Sequence, residues 1–225
     1  MERILRTTKV NVNKNLYLKE PFSSELGILV VTDGMLLIQE FGMENFNFKK
    51  LAQKIGSTEP AIYRYFENKH KLLLYLTAWY WGYMEHNLVF GTANLIDPLD
   101  KLDVAISLIV NGPIFKENEF LDPLQLREIV VNESIKGYLT KTVDFEHENG
   151  VFAEVYKFGE RISEIIIEIN PSYGFPKTLA STVMESSLLQ AFNSQHLPGM
   201  TETSLDSIGR YRFFHQLVIN AISNE

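Results

Sequence analysis

The segment FKKLAQKIGSTEPAIYRYFENKHKL, residues 48–72, decides the fold of this chain. Its apolar residues recur every three or four positions on both sides of Gly56, which predicts two short helices joined by a tight turn. Asn47 and Thr58 stand directly before these helices, and both residue types are favoured helix N-caps. Two short helices joined in this way form a helix-turn-helix, whose second helix can enter the major groove of DNA.

The two faces of this segment differ in chemistry. The apolar residues that can form its small core are Leu51, Ala52, Ile55, Ile62 and Phe66. The basic residues left for the outer surface are Lys49, Lys50, Lys54, Arg64, Lys69 and Lys71. Cations gathered on one face favour contact with phosphates. The spacing alone fits a helical hairpin with a solvated basic face equally well.

The charge of the chain reverses along its length. The 225 residues carry a formal net charge of −7, which by itself argues against a nucleic-acid partner. Residues 1–75 hold 11 Lys and Arg against 8 Asp and Glu, a net charge of +3, whereas residues 76–225 hold 10 against 20, a net charge of −10. Phosphate contact is therefore expected of the front third, and the acidic remainder is expected to face away from DNA. Ordinary variation of surface charge is the alternative.

Helical spacing continues through the rest of the chain, and prolines tend to stand at the edges of the helical segments. An all-α fold is therefore predicted. The helices are expected at about 24–41, 47–56, 58–66, 68–88, 98–111, 122–140, 147–169, 175–195 and 203–223. Residues 141–147 and 196–203 are the predicted loops between the later helices.

One block of residues resembles a known family. The residues concerned are Gly42, Asn47-Phe48, Leu51-Ala52, Gly56, Ala61 to Phe66, Asn68-Lys69 and Leu72-Leu73. They resemble the DNA-binding domain of TetR-family regulators over about residues 24–75, and Ile-Tyr-x-Tyr-Phe-x-x-Lys is the most specific part. The rest of the chain resembles the family only in length and helical character. The resemblance implies a basic N-terminal extension at 1–22, a three-helix DNA-binding domain with a helix-turn-helix at 23–67, and a larger helical effector-binding and dimerisation domain at 68–225.

The resemblance also implies DNA-binding roles for nine residues. These are Asn47, Lys49, Thr58, Glu59, Ala61, Tyr63, Arg64, Tyr65 and Lys69. Asn47 and Lys69 stand at helix N-termini, which commonly meet phosphates. Thr58, Glu59 and Ala61 begin the recognition helix, where base edges are read.

Tyr63 and Arg64 match positions that touch the DNA backbone or the bases. Tyr65 either does the same or packs against the first helix. Two residues depart from the family pattern: Ser57 replaces a usual aliphatic residue, and Glu59 puts a carboxylate where many relatives carry a cation or a small polar group. Glu59 can accept a hydrogen bond from cytosine N4, or it can merely favour the helix dipole.

Residues 1–22 form a basic arm that is expected to be weakly structured. Its cations are Arg3, Arg6, Lys9, Lys14 and Lys19. Such an arm can follow a minor groove or the phosphates of DNA. A disordered leader is the alternative.

The helix that follows the helix-turn-helix carries four aromatic residues within five positions. These are Trp79, Tyr80, Trp81 and Tyr83. Adjacent helical residues point about 100° apart, so one stripe cannot bury all four. They either face a cavity or the DNA-binding domain, or they are large core residues. The residues predicted to line a mostly apolar effector pocket are Trp79, Tyr83, His86, Asn111, Phe115, Asn132 and Tyr156.

The two final helices, at about 175–195 and 203–223, are predicted to form a homodimer. The second of them carries more apolar residues than one helical stripe needs, namely Ile208, Tyr211, Phe213, Phe214, Leu217, Val218 and Ile222. The resemblance implies a four-helix bundle made from the two final helices of each subunit. A buried hairpin within one subunit is the alternative.

The sequence contains none of the common motifs for metal binding or catalysis. The chain has no cysteine, and its five histidines form no metal-binding pair. Glu146-His147-Glu148 looks like a metal motif but belongs to a charge run in a predicted loop. No phosphate-binding glycine loop or nucleophile elbow is present, so no catalytic residue, metal, cofactor or enzymatic activity is predicted. The early apolar stretch, Leu26 to Ile38, reads as too short and too polar to cross a membrane, which predicts a cytoplasmic protein.

These observations predict a homodimeric transcriptional regulator, and a repressor rather than an activator. It would bind a palindromic operator in double-stranded DNA and respond to a small, largely apolar effector. One rival is a helical ligand-binding protein or enzyme with a vestigial helix-turn-helix. Another is a regulator that works through protein contacts.

Overall fold

The computed structural model describes residues 7–115, 117–202 and 206–223. This part of the chain holds eleven α-helices and no strand, which confirms the all-α prediction. The helices are α1 (Glu25–Asn45), α2 (Phe48–Lys54), α3 (Glu59–Ile62), α4 (Lys69–Thr92), α5 (Pro98–Asn111), α6 (Pro123–Glu133), α7 (Ile135–Tyr138), α8 (Val143–Glu148), α9 (Ala153–Ile169), α10 (Pro176–His196) and α11 (Ser207–Ser223).

The chain forms two compact units. Of the described residues, the first unit holds 7–82 and 117–154, and the second unit holds 83–115, 155–202 and 206–223. Helix α4 contributes its first part to the first unit and its last part to the second. This grouping differs from the functional domains predicted with a boundary at residue 67, and those functional boundaries stay a prediction.

Helix α4 is buried all round over most of its length. Every residue from Leu72 to Met84 is buried, as in a helix enclosed by other elements. Trp79 and Tyr80 are core residues of the first unit, and Tyr83 is a core residue of the second. The four neighbouring aromatic residues need no single stripe, because the helix has no solvent-facing side at this level.

Helix α1 begins at the predicted position and ends later than predicted. Ser24 caps it by accepting the Gly27 N–H at 3.3 Å. Gly42 leaves the helical conformation with φ 68°, as a glycine stop does, but a last turn continues to Asn45. The Phe46 N–H then closes on the Gly42 carbonyl at 3.0 Å.

Helix α1 is longer than the apolar stretch Leu26 to Ile38, which the sequence predicts to be too short and too polar to cross a membrane. With 21 residues and a mean hydropathy of 1.5, α1 is long and apolar enough to cross a membrane by these two measures. Nearly half of its apolar window is nevertheless buried within the first unit. Val30, Val31 and Ile38 lie in the core, so α1 has the character of a core helix.

The prediction of a weakly structured N-terminal arm is wrong for residues 8–22. We call residues 8–23 the N-terminal strap, because they pack along the first unit with Val10 and Leu16 buried. The Leu18 N–H donates to the Tyr65 carbonyl at 2.8 Å. The polar composition of this segment predicted disorder. Burial of its apolar side chains and its backbone hydrogen bonds offset the entropy that the segment loses when it becomes ordered. The predicted arm residues Arg3 and Arg6 lie outside the described part of the chain.

The region between α6 and α9 differs from its prediction. The helix expected at 122–140 is divided at Ser134 into α6 and α7. Helix α8 occupies most of the predicted loop 141–147. The helix expected at 147–169 begins only at Ala153, because Gly150 has φ 69° and interrupts the helical path.

In the second unit, α11 packs against α5 through one face. Phe214, Val218 and Ile222 are the buried residues of α11. At the rim, the Tyr211 hydroxyl donates to the Asp103 carboxylate of α5 at 2.9 Å. Burial, followed by this hydrogen bond, raises the pKa of Tyr211 to about 12. Helix α11 is therefore anchored on one side and turns its other face outward.

Candidate nucleic-acid interface

Helices α2 and α3 form the helix-turn-helix predicted from the sequence. Asn47 caps α2, since its side-chain oxygen accepts the Lys50 N–H at 2.9 Å. Gly56 has φ 64°, the left-handed region that glycine adopts most readily. The Ser57 N–H closes the turn on the Ala52 carbonyl at 2.9 Å.

A small apolar core lies beneath these helices, largely as predicted. Its buried residues are Phe48, Leu51, Ala52, Ile62 and Phe66. Ile55, which was also expected there, is only half-buried at the end of α2. The core fixes which side chains of α3 can face outward.

The recognition helix α3 is shorter than predicted and ends at Ile62 instead of Phe66. Thr58 occupies its N-cap position and is exposed, but its side chain makes no cap hydrogen bond. Glu59 and Ala61 are half-buried. Within the described part of the chain, the Glu59 carboxylate has no cation at ion-pair distance. The first turn of α3 therefore offers a hydroxyl and a carboxylate to an external partner.

The exposed cations of the helix-turn-helix are Lys49, Lys50, Lys54 and Arg64. Two of them have internal partners. The Lys50 ammonium donates to the Asn45 carbonyl at 2.9 Å, and the Lys54 ammonium lies 3.9 Å from the Asp33 carboxylate. The other two have no ion pair among the described residues, so they remain available to phosphates.

The two tyrosines of this region point in opposite directions. Tyr63 is 46% exposed, and its ring packs edge-on against Phe48 at 5.1 Å between centroids. Tyr65 is buried, with its hydroxyl 2.8 Å from the Ser24 hydroxyl and the Lys19 ammonium 5.2 Å above its ring. Tyr65 therefore packs against the start of α1, which is the second of its two expected roles.

Lys69 does not present its ammonium to solvent as a phosphate ligand would. It donates to the carbonyls of Met43, Glu44 and Phe46 at 2.5, 3.3 and 3.0 Å. A cation is favourable there, because carbonyls at a helix C-terminus lack partners and carry the negative end of the dipole. In this conformation the Lys69 side chain caps α1. Its predicted contact with a phosphate stays a prediction.

The residues predicted to line an effector pocket are divided between the two units. Trp79 and Asn132 belong to the first unit, and Tyr83, His86, Asn111, Phe115 and Tyr156 belong to the second. The second unit brings Tyr83 and Phe115 together, since the Tyr83 hydroxyl donates to the Phe115 carbonyl at 3.2 Å. Asn111 and Tyr156 are exposed. The Asn132 side chain bonds the carbonyl four residues earlier on its own helix, at 2.9 Å.

Sequence reasoning missed Asn87, which is fully buried in α4. Its amide nitrogen donates to the Tyr83 carbonyl at 2.9 Å, and its oxygen accepts the Phe115 N–H at 3.1 Å. The only signal was a polar residue in an apolar run. Beside it, His86 Nδ1 is buried and has no hydrogen-bond partner within the described residues. His86 Nδ1 is therefore an unsatisfied polar atom of the second unit.

The described residues contain no group of three His, Asp or Glu side chains placed to hold a metal ion. The Glu146-His147-Glu148 run lies on α8 and not in a loop, and Glu146 alone of the three is buried. The Glu146 carboxylate contacts His70 and Lys71.

Comparison with known proteins gives a family match and several structures of similar fold. Residues 33–76 match the family described as bacterial regulatory proteins, tetR family. No curated protein matches the sequence. The structure of AibR in complex with isovaleryl coenzyme A and operator DNA is similar with a TM-score of 0.56 at 15% identity, covering 88% of this chain and 97% of that one.

The second similar structure is the fatty acid degradation regulator FadR from Bacillus halodurans, with a TM-score of 0.58 at 15% identity over 84% of this chain and 92% of that one. The third is the superantigen PfiT, with a TM-score of 0.58 at 12% identity over 92% of this chain and 100% of that one. At these identities the likeness shows a shared fold.

Lys69→Ala is expected to lower the free energy of unfolding by about 1–3 kcal/mol, because three carbonyls at the end of α1 lose a charged donor. Urea unfolding of the purified protein measures the change. Lys49→Ala removes the same group from an exposed position and should stay within about 0.5 kcal/mol of the wild type. Equal stability of the two variants would show that Lys69 does not cap α1.

Proposed function

We propose that this chain, whose residues 33–76 match the tetR family of bacterial regulatory proteins, is a DNA-binding transcriptional regulator that acts as a repressor on a palindromic operator. One observation carries the proposal. The family-matched residues 33–76 fold as a helix-turn-helix whose outward side chains, Thr58, Tyr63 and Arg64, are polar and exposed. A major groove about 12 Å wide admits such a helix.

The outward residues divide by chemistry into two groups. Lys49 and Arg64 are cations without an ion pair in the described part of the chain, which suits contact with phosphates. The first turn of α3 holds Thr58, Glu59 and Ala61, which suit contact with base edges. Asn47 is exposed at the start of α2, where backbone amides can bind a phosphate.

We further propose a homodimer formed through α10 and α11. The outward face of α11 exposes Phe213 and Leu217 by 52% and 39%, and these two residues lie one turn apart on one face. Leu189 of α10 is 57% exposed. Apolar side chains in neighbouring positions that one copy leaves in water are covered when a second copy packs on them.

The effector is proposed to be a small, largely apolar molecule that carries one polar group. The buried Nδ1 of His86 supports a polar contact, and the aromatic side chain of Tyr83 on the same helix supports an apolar one. Two proteins of similar fold are connected with acyl compounds. The structure of AibR holds isovaleryl coenzyme A, and FadR is described as a fatty acid degradation regulator. Acyl compounds are therefore the first class to test as agents that release the DNA.

The mechanism we propose is a shift of population. Effector binding favours a conformation in which the two recognition helices of the dimer no longer match two successive major grooves. No catalytic step is part of this activity, and the working location is the cytoplasm, where the DNA is. The second candidate function is a helical binding protein with a vestigial helix-turn-helix, favoured by the similar fold of the superantigen PfiT.

Selection of binding sites from random duplex DNA tests the proposed function directly. The wild-type protein is expected to recover a motif of two half-sites related by a two-fold axis, because a symmetric dimer presents two identical recognition helices. A double variant, Lys49→Ala with Arg64→Ala, should bind every sequence more weakly and show a smaller salt dependence. Recovery of no motif by the folded wild type would favour the vestigial alternative.

Leu217→Glu is expected to convert the dimer to a monomer at micromolar concentration, because dimer formation would bury a charge against apolar side chains. Light scattering coupled to size exclusion measures the mass. Gln216→Glu introduces the same carboxylate at the preceding exposed position and should leave the mass unchanged. A wild type that is monomeric, or a Leu217→Glu variant that stays dimeric, contradicts the proposed interface.

Glu59→Ala is expected to relax the base preference at one base pair of each half-site while leaving non-specific affinity unchanged or slightly higher. A carboxylate near phosphates is unfavourable unless it accepts a hydrogen bond from cytosine N4 or adenine N6, a contact worth about 1–3 kcal/mol of discrimination. Glu67→Ala removes the same charge from an exposed position beyond α3 and should recover the wild-type motif. If Glu59→Ala also recovers that motif but melts at a lower temperature, Glu59 serves the helix dipole.

A further inference from the structure

Glu146 is a buried carboxylate that contacts an imidazole and an ammonium group. It lies on α8 and its side chain is only 2% exposed, whereas its neighbours His147 and Glu148 are exposed. The His70 Nε2 atom lies 3.0 and 3.2 Å from its two carboxylate oxygens, and the Lys71 ammonium lies 3.1 Å from one of them. All of these residues belong to the first unit.

The positions of His70 and Lys71 in the chain show which part of the fold this contact can affect. His70 and Lys71 lie in the first turn of α4, only four and five residues after Phe66, the last core residue of the helix-turn-helix. A charge-assisted contact with a buried carboxylate is short, directional and strong compared with one in water. Glu146 therefore fixes the point at which the chain leaves the helix-turn-helix.

A second set of contacts connects the same region to the recognition helix. The Asn13 side chain of the strap donates to the carbonyls of Asn149 and Gly150, at 2.9 and 2.8 Å, directly after α8. Five residues further along the strap, the Leu18 N–H donates to the Tyr65 carbonyl at 2.8 Å. Residues 146–150 are thus joined to the segment that follows α3 both through α4 and through the strap.

We propose that Glu146 is a positioning residue for DNA binding, which holds α3 in the orientation that fits a major groove by clamping His70 and Lys71. The inference rests on the proposed function. Glu146 itself touches no DNA; it acts through the first turn of α4. Removal of its charge leaves the Lys71 ammonium, whose side chain is only 13% exposed, without its counterion, and the first turn of α4 is expected to shift or open to hydrate it.

The test compares Glu146→Gln with Glu148→Gln, which makes the same change at an exposed position of the same helix. At a temperature well below the melting point of every variant, Glu146→Gln should bind the selected operator about tenfold more weakly, and Glu148→Gln should bind it like the wild type. Base preference and the slope of log affinity against log salt should be unchanged, because no DNA contact is lost. Wild-type affinity of Glu146→Gln overturns the proposal.

A second variant separates positioning from general loss of stability. Glu146→Gln combined with Lys71→Met removes both charges of the pair, so its affinity should be no weaker than that of Glu146→Gln alone; Lys71→Met by itself is the other single variant. Losses that simply add, relative to the two single variants, mean that Glu146 does not act through Lys71. Tighter binding by Glu146→Gln, with a steeper salt slope, means that the carboxylate screens DNA-binding cations, and this also contradicts positioning.

Hydrogen exchange gives a readout that does not need DNA. Amides of residues 59–72 should exchange about tenfold faster in Glu146→Gln than in Glu148→Gln, while amides of α11 exchange at the wild-type rate. Exchange that is faster everywhere indicates a structural role only and overturns the proposal. A wild type that recovers no DNA motif, together with the local change in exchange, refutes the proposed function and leaves the clamp itself established.

Discussion

Burial of helix α4 is the constraint on which the rest of the structure depends. Its residues Leu72 to Met84 include no charged side chain, and all are buried, so the helix has no face that water can cover. Other elements of the first unit approach closely enough to enclose it: a Cβ on Gly34 of α1 would lie 2.9 Å from the Leu72 side chain, and one on Gly82 would lie 2.4 Å from Val10 of the strap. The order of the strap follows from this need, because without it one side of α4 would face solvent.

The charged first turn of α4 then determines where the helix-turn-helix is held. Lys69 bonds the carbonyls at the end of α1, while His70 and Lys71 contact the buried carboxylate of Glu146. Three consecutive residues thus connect α4 to two different elements of the first unit. Such contacts are directional, whereas apolar burial is not, so the apolar core gives stability and these polar contacts set orientation.

What the sequence predicts well is local. The Asn47 cap, the glycine turn at Gly56 and most of the apolar core of α2 and α3 depend on residues a few positions apart, and the structure confirms them. Thr58 occupies its predicted N-cap position without a cap hydrogen bond. Two of the larger errors involve partners that are distant in sequence. A local pattern cannot show that Asn13 of the strap meets its partners 136 and 137 positions later, or that Glu146 meets His70 and Lys71, which lie 76 and 75 positions earlier.

On the proposed function, the contacts that several cations make within the chain change how it would bind DNA. Each phosphate contact contributes a slope of about 0.9 to the salt dependence of binding, and non-specific affinity comes almost wholly from such contacts. Here Lys50, Lys54 and Lys69 have partners within the chain, and residues 76–225 add a net charge of −10. A regulator with so little free positive charge would gain less from the DNA backbone. On the proposed function, more of its affinity would come from base contacts at the first turn of α3 and from two copies binding together, so the orientation of α3 would matter more than in a strongly basic protein.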